Sequence, residues 1–435
     1  MNKLLTTTAA LALASAAFAG QAQAGAPLTV LHSFCLKTDC TDGAQPMGGL
    51  TSDGAGNYFG TTEGGGDANE GTVYKMSFDG TRWSVVRIHS FCATADCTDG
   101  AQPYGGVIVD TNGNLYGMTN SGGNSGNGGV IYELSPHGGK YTYSALYTLC
   151  SATNCADGQT PLYAELSYSG KASGALYDGT SPLYGTTSMG GSGSFAATGV
   201  VFSLTHKGKT WTQKVIYDFC SQTNCLDGGV PYAGVTVDGS GNLYGTNSAG
   251  GAYYSEDNGG TVFKLSLNGT RWKINVLHAF CAKQDGNGNC TDGSTPSAPP
   301  VLDASGNLFG TTVTGALGYG TVYEIPAGGK FALLHSFCVK NGCPDGALPG
   351  GRPLVLDAMG NLFGVATQGG SPTAQGGTVF ELSGAKHVFS TIDVFKGTNG
   401  AQPFGGLMLD ASGALFGTAS AGGKANHGTL YSIKP

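Results

Sequence analysis

The sequence predicts an all-β fold: a seven-bladed β-propeller of four-stranded antiparallel blades, closed by pairing of the N-terminal strand with the C-terminal blade. Three observations predict it. One unit recurs seven times, each copy holds four strand-like runs, and one copy is split between the two ends of the chain.

The repeat is marked by the residue before each cysteine loop: Phe34, Phe91, Leu149, Phe219, Phe280, Phe337 and Phe395, spaced by 57, 58, 70, 61, 57 and 58. After this residue comes a loop with D-G-x-x-P, then a short apolar run ending in Asp, such as GGVIVD at 105–110. N-L-Y-G-T-type runs follow, for example at Asn57–Thr61 and Asn242–Thr246. A Gly-Gly loop leads to G-T-V-Y/F-x-L, as at Gly260–Leu265, and a run such as WSVVRIHSF at 83–91 ends the unit. These runs are rich in Val, Ile, Leu, Tyr, Phe and Thr and are bounded by Gly, Asn or Asp, the composition of strands between tight turns. D-x-x-G-N, as in Asp110–Asn114, predicts a hairpin: Asp bonds the backbone ahead of it, and Gly supplies the positive φ. No helical period stands out beyond the N-terminal segment.

The ends of the chain favour a ring. PLTVLHSF at 27–34 is a fourth strand without its first three, and GTLYSIKP at 428–435 is a third strand without its fourth. Pairing them closes the circle and removes exposed sheet edges. A β-helical solenoid is the rival, but about sixty residues per turn is long for one, and it gives no reason to divide a repeat.

The first 24 residues, MNKLLTTTAALALASAAFAGQAQA, read as a secretory signal peptide, with Lys3, an Ala-rich apolar run and Ala22-Gln23-Ala24 as the cleavage site. The run is too short to suit a membrane anchor. A single propeller domain is expected over 25–435. Glycine is abundant at 76 residues and charged residues make up only 11%, yet 10% aromatics argue against disorder. The net charge of −7 and the lack of a basic cluster argue against nucleic acid.

Twelve cysteines form six local pairs. They are Cys35 with Cys40, Cys92 with Cys97, Cys150 with Cys155, Cys220 with Cys225, Cys281 with Cys290, and Cys338 with Cys343. Behind an export signal, disulfides are the expected chemistry. Zinc would need four ligands, and each pair stands alone in its repeat. Closing so short a loop is worth only about 2 kcal/mol, so the bridges should stiffen loops locally. The seventh copy, Phe395–Gly400, is shorter and has no cysteines, as expected if the bridge is an accessory to loop length.

On these residues the sequence resembles the GloVer tandem repeat of bacterial exported proteins, sometimes called choice-of-anchor repeat proteins. The motif is D-G-x-x-P-x-G-G-L…D-x-x-G-N-L-Y-G-T-T…G-T-V-F-x-L, repeated across 28–435. The resemblance implies a secreted or surface propeller-like protein and carries no activity with it. Members often end in an anchoring tail. Here the sequence ends Ser432-Ile433-Lys434-Pro435, which favours release to the periplasm or medium. D-x-x-G-N-L-Y is more distantly similar to turns of NHL-type and lactonase-type propellers, and no residue role is carried over from them.

Function is expected at the loops around one mouth of the central channel. Asp42, Asp99, Asp157, Asp227, Asp292 and Asp345 recur there, with Asn399 in the seventh place. They read either as turn caps ahead of Gly or as a carboxylate ring for Ca²⁺, the one ion the pattern suggests; the turn reading is simpler. No other cofactor is predicted. His32, His89, His278 and His335 share a place with Tyr147, Tyr217 and Asp393, which reads as a repeated polar position on an outer strand. No G-x-S-x-G, H-E-x-x-H or phosphate-loop motif occurs.

The residue after the D-G-x-x-P proline varies: Met47, Tyr104, Leu162, Tyr232, Ser297, Gly350 and Phe404. Tyr104, Tyr232 and Phe404 near the mouth could stack on a sugar or grip a peptide, or pack on neighbouring loops. Glu165, Arg352, the insert Asp285–Gly288 and the loop Tyr253, Tyr254, Glu256 and Asp257 are singular. The expected function is a non-catalytic exported propeller, a monomer, that binds a polysaccharide, peptide or surface partner. The alternatives are a carbohydrate-active lyase or hydrolase using Glu165, Arg352 or the Asp ring, and a structural matrix protein.

Overall fold

In the computed structural model, residues 26–435 are described except 125, 193–197, 254–258, 316 and 372–374. The segment read as a signal peptide and residues Tyr254, Glu256 and Asp257 lie outside the described residues. Seven antiparallel sheets follow one another as blades, with no α-helix among the described residues. The ring closes as the chain ends imply: Ala26–Ser33 pairs antiparallel with Thr429–Lys434 and completes blade 7.

Within a blade, burial follows position. In blade 1, Asn57–Thr62 is buried almost throughout, while the outermost strand, Trp83–Ser90, alternates between half-buried and exposed residues over its first half and becomes buried at Ser90. The inner strand is short, Thr51–Ser52, and Ala44 continues its pairing by bridging to Gly64. The D-x-x-G-N hairpins form as expected: Asp110 accepts the amides of Asn112 and Asn114 at 2.8 and 2.9 Å and the Asn114 side chain at 2.8 Å. The Asp285–Asn289 insert builds the same turn inside a cystine loop.

The seams between blades explain the most repetitive letters of the sequence. Phe34, Phe91, Leu149, Phe219, Phe280, Phe337 and Phe395 are all completely buried. Each Phe ends the outer strand of one blade and packs on the third-strand ring of the next: Phe34 on Tyr74 at 5.2 Å, Phe91 on Tyr132 at 5.1 Å and Phe395 on Tyr431 at 5.1 Å between centroids. That third-strand ring lies over the glycine of N-L-Y-G-T. A Cβ on Gly117 would come within 2.4 Å of the Tyr132 hydroxyl, and one on Gly245 within 2.5 Å of the Phe263 ring. The apolar clusters accordingly straddle neighbouring blades; Phe59, Val73 and Phe91 of blade 1 pack with Val107, Leu115 and Tyr132 of blade 2. The threonine that follows the glycine is also explained. Thr61, Thr186 and Thr246 donate to the carbonyls of Gly105, Ala233 and Ala298 in the next blade at 2.7, 2.8 and 3.0 Å.

Two blades depart from the pattern. In blade 3 the innermost position is reduced to a Ser167–Tyr184 bridge, and an inserted segment brings Lys171–Gly174 to the cavity on the axis and Tyr177 back to the blade 2 seam, where it bridges to Asp110. In blade 6 the inner strand is split into Ala347–Pro349 and Val355–Leu356, with Gly350 and Gly351 at φ 142° and 83° between them. The Thr311 hydroxyl of blade 5, which faces this break, has no hydrogen-bond partner among the described residues.

Removing residues 26–33 should leave blade 7 with a bare edge and an uncovered apolar seam. The expected result is loss of the cooperative thermal transition and elution as aggregate in size-exclusion chromatography. The Tyr132 hydroxyl is buried with no partner among the described residues, and Phe fills the same place at 202, 263 and 380. Tyr132→Phe should therefore raise stability by about 1 kcal/mol in denaturant titration.

Candidate functional site

All six predicted disulfides are formed, and no cysteine is free. Cys35 is bonded to Cys40, Cys92 to Cys97, Cys150 to Cys155, Cys220 to Cys225, Cys281 to Cys290 and Cys338 to Cys343, as the local spacing implies. Each cystine loop is built around the Asp of D-G-x-x-P. Asp227 accepts the Ser221 and Gln222 amides at 3.0 and 3.3 Å, and Asp42 accepts Leu36 and Lys37 at 3.2 and 3.3 Å. Five of the six carboxylates are buried: Asp42, Asp99, Asp157, Asp227 and Asp292. Their oxygens face their own loop amides, as the turn reading of the sequence expects. The group of His, Cys, Asp and Glu atoms close enough to hold a metal among the described residues is Cys35, Cys40 and His427, and its two sulfurs are already bonded to each other. In the seventh copy Gly397 and Gly400 pair directly, and Asn399 takes over the cap by accepting the Lys396 amide at 2.7 Å.

The recurring His/Tyr position is more than an outer polar site. His278 and His335 approach Asp292 and Asp345 at 3.1 and 2.9 Å, and Tyr147 and Tyr217 donate to Asp157 and Asp227 at 2.9 and 2.8 Å. In these four copies His or Tyr meets the loop carboxylate; in the first two the His32 and His89 Nε2 atoms make no hydrogen bond among the described residues, His89 lying 3.8 Å from Asp99. Where the loop residue becomes Asn399, the strand residue becomes Asp393, which accepts the Leu28 amide at 2.7 Å instead. Burial holds His32, His89 and His335 below the ordinary imidazole value, against the raising pull of Asp42, Asp99 and Asp345.

The inner segments after the prolines crowd around the axis. A Cβ on Gly105 would come within 2.1 Å of the Ala164 carbonyl, and one on Gly234 within 2.3 Å of the Glu165 carbonyl, so a longer side chain has no room in the seam. Counting back from Leu354, which matches Leu50 and Leu407, the place held by Gly48, Gly105 and Gly405 is held by Arg352 in blade 6, which like blade 3 carries one extra residue after its proline. The broken strand there lets its side chain reach across the axis, where it is 7% exposed. It donates to the carbonyls of Met47 at 3.0 Å, Tyr163 at 3.2 Å and Tyr104, which belong to blades 1, 3 and 2. Burial lowers its pKa, opposed by Glu165, but a guanidinium stays charged under any ordinary condition.

Two cavities flank the segment Gly351–Arg352, and Gly351 and Tyr163 line both. On the cystine-loop side is a chamber of about 390 Å³ lined by Tyr163, Tyr232 and Phe404 with Ser297, Gln368 and Gln402. Tyr163 is the hub: its ring lies 4.8 Å from Phe404, 5.7 Å from Tyr104 and 6.5 Å from Tyr232. All four rings are partly exposed. The sequence reading missed Tyr163, taking Leu162 for this place, because blade 3 carries one extra residue after Pro161. Counting back from Leu166, which matches Val107 and Val235, would have found it. Tyr104 donates to Glu63 at 3.1 Å. Burial and Glu63 push Tyr104 up to about 12, and burial raises Glu63 against that bond.

On the hairpin side lies a cavity of about 500 Å³ lined by Glu165, Lys171 and Arg352 and by apolar residues of blades 4 to 7. Glu165 pairs with Lys171 at 3.0 Å. The sequence-predicted residues therefore fall on both sides of this segment: Tyr104, Tyr232 and Phe404 above it, Glu165 below, Arg352 within it. The Asp285–Gly288 insert is a closed turn in its loop, and Tyr253 is exposed.

The Gloeobacter/Verrucomicrobia repeat model matches residues 16–181 and 287–435. No curated protein matches the sequence. Among solved structures, a Mycobacterium tuberculosis puromycin-hydrolyzing peptidase is similar at 12% identity and a TM-score of 0.50, over 91% of this chain and 52% of that one. The periplasmic gluconolactonase of Pseudomonas aeruginosa aligns at 15% identity and a TM-score of 0.45, over 89% and 94%. An α-L-arabinanase of Penicillium chrysogenum aligns at 13% identity and 0.43, over 75% and 92%. These likenesses concern the fold alone.

Depressed histidines bind protons more readily in the unfolded chain, so stability is lost as pH falls below the ordinary value of 6.5 toward the lowered folded values. The unfolding midpoint should drop across that window. His32→Tyr with His89→Tyr should flatten the drop, because Tyr already serves this place in two blades; thermal melts as a function of pH check it.

Proposed function

This chain belongs to the Gloeobacter/Verrucomicrobia repeat family, and we propose that it is an exported, non-catalytic propeller that binds a neutral oligosaccharide at its cystine-loop mouth. The observation that carries this reading is the ring cluster of Tyr104, Tyr163, Tyr232 and Phe404 at the edge of a chamber whose other polar groups are uncharged amides and hydroxyls. Sugar rings present apolar faces and hydroxyl edges. Aromatic faces take the first, and Gln368, Gln402 and Ser297 suit the second.

Rigidity supports the same reading. The surrounding loops are pinned by cystines and by inward-facing carboxylates, so little ordering is left to occur on binding. The enzyme alternative is less well supported. Glycoside hydrolysis generally uses two carboxyl groups flanking the bond, and the residues lining the upper chamber include none. The Asp ring does not serve as a cation cage in this reading, because its oxygens are spent on loop amides. Six disulfides fit an oxidising compartment, and no helix among the described residues is long and apolar enough to cross a membrane. Secretion or a periplasmic location is part of the proposal.

A glycan array should give binding to neutral oligosaccharides, and calorimetry on the best one should show affinity that changes little with salt. Tyr232→Ala combined with Phe404→Ala should weaken it by about tenfold or more, with the circular dichroism spectrum unchanged. Equal binding by the double variant would remove the reading.

A further inference from the structure

In a molecule made of seven copies, the places where single copies break the pattern are informative. Three such breaks meet in the cavity on the hairpin side of the Gly351–Arg352 segment. Glu165 replaces the glycine found at 49, 106, 234 and 406. Lys171 comes from the insertion of blade 3, on the short turn Lys171–Ser173 framed by Gly170 and Gly174, both in the left-handed region. Arg352 comes from the split strand of blade 6. Every charged side chain lining this cavity is one of these three.

The rest of the wall is mostly apolar: Val237, Val301, Leu302, Val355, Leu356 and Leu409 line it among others, with Ser167, Ser173, Thr236 and Tyr163 as the uncharged polar members. Its volume, about 500 Å³, falls within the usual range for small-molecule sites. Two cations face one carboxylate, so the cavity carries one net positive charge. Lys171 is divided between the Glu165 carboxylate at 3.0 Å and the Leu166 carbonyl at 2.9 Å. Arg352 spends its terminal nitrogens on carbonyls, but its Nε–H is buried with no acceptor among the described residues. A buried cationic donor without an acceptor is costly and favours an incoming anion.

We propose that this cavity is a second binding site, for a small carboxylate with an apolar body. The anionic end would lie between Lys171 and Arg352 and the hydrocarbon would run along the Val and Leu side chains of blades 4 to 7. This inference does not rest on the oligosaccharide reading: Tyr163 and Gly351 line both cavities, but Glu165, Lys171 and Arg352 line this one and not the other.

The probe is sodium octanoate, titrated calorimetrically into the full mature protein, with 1-octanol and octylamine as controls. Octanoate should bind, octanol should bind at least about tenfold more weakly, and octylamine should not bind. Lys171→Met should weaken octanoate about tenfold, and Glu165→Gln should tighten it several-fold by removing the competing carboxylate. Lys171 is chosen over Arg352 because loss of Arg352 would release three backbone carbonyls at the axis. Val301→Trp, which fills the cavity, should abolish binding, while Tyr232→Ala should leave it unchanged. Failure of octanoate to bind, equal binding of octanol, or an unchanged affinity in Lys171→Met would each overturn the proposal. So would weaker binding in Glu165→Gln or full binding in Val301→Trp.

Discussion

The structure depends on one repeated wedge: an outer-strand Phe of one blade, a third-strand ring of the next, and the glycine on which that ring rests. Phe91, Tyr132 and Gly117 are one instance. The wedge does two things. It buries a large aromatic pair at six seams, and Leu149 against an aromatic at the seventh, worth a few kcal/mol by area, and it sets how closely adjacent blades approach. Because a sheet twists, a fixed approach at every seam turns the row of blades into a circle. The last seam is made by Phe395 against Tyr431, and the blade there is finished by the first strand of the chain. A propeller closed in this way has no unfinished end blade, so no seam can open without exposing apolar surface on both sides.

The same closeness governs the axis. Inner segments approach until backbone meets backbone, which is why the positions after the prolines are Gly or Ala in most copies. A long side chain at such a place cannot lie in the seam and must enter the channel. Arg352 and Glu165 do so, and each is accompanied by a local rearrangement: a broken inner strand with one added residue in blade 6, an added residue and an inserted segment in blade 3. The tight seam therefore converts a change in one repeat into a group displayed on the axis. Seven near-identical modules can build a scaffold while two of them furnish the chemistry.

Much of the architecture was legible because it is written seven times. The spacing of Phe34 to Phe395, the Asp-x-x-Gly-Asn turns and the split unit at the chain ends each imply the ring without any structure. The pairing of Cys92 with Cys97, and of its five counterparts, is equally plain, because no other cysteine lies within reach in the same repeat. What was not legible is what occurs once. The extra residue in blade 3 shifts Tyr163 into the aromatic cluster, and a motif search anchored on Pro161 points to Leu162 instead. Arg352 reads in the sequence as a singular basic residue near a mouth, whereas it is a buried cross-axis tie; no local pattern announces a side chain whose partners are 189, 248 and 305 residues away. The pairing of His335 with Asp345 sits between these cases. His and Tyr give way to Asp393 in the one copy where the loop Asp becomes Asn399, so the repeats themselves record the contact. Reading the columns jointly would have revealed it.

The cystine loops show how local order is divided between covalent and non-covalent parts. A separation of 5 residues, as between Cys150 and Cys155 or Cys338 and Cys343, closes too small a loop for a disulfide to restrict the unfolded chain by much. The loop Asp accepts one or two loop amides, and in four copies the strand His or Tyr ties that Asp to the blade beneath. The seventh loop keeps the acceptor role through Asn399, shortens the turn, and dispenses with the bridge. The cystine is therefore needed only where the loop is long enough to leave the carboxylate's partners unconstrained. On this logic the bridges serve the mouth more than the ring: they hold the rim still, so that the aromatic cluster it surrounds meets a ligand already in place.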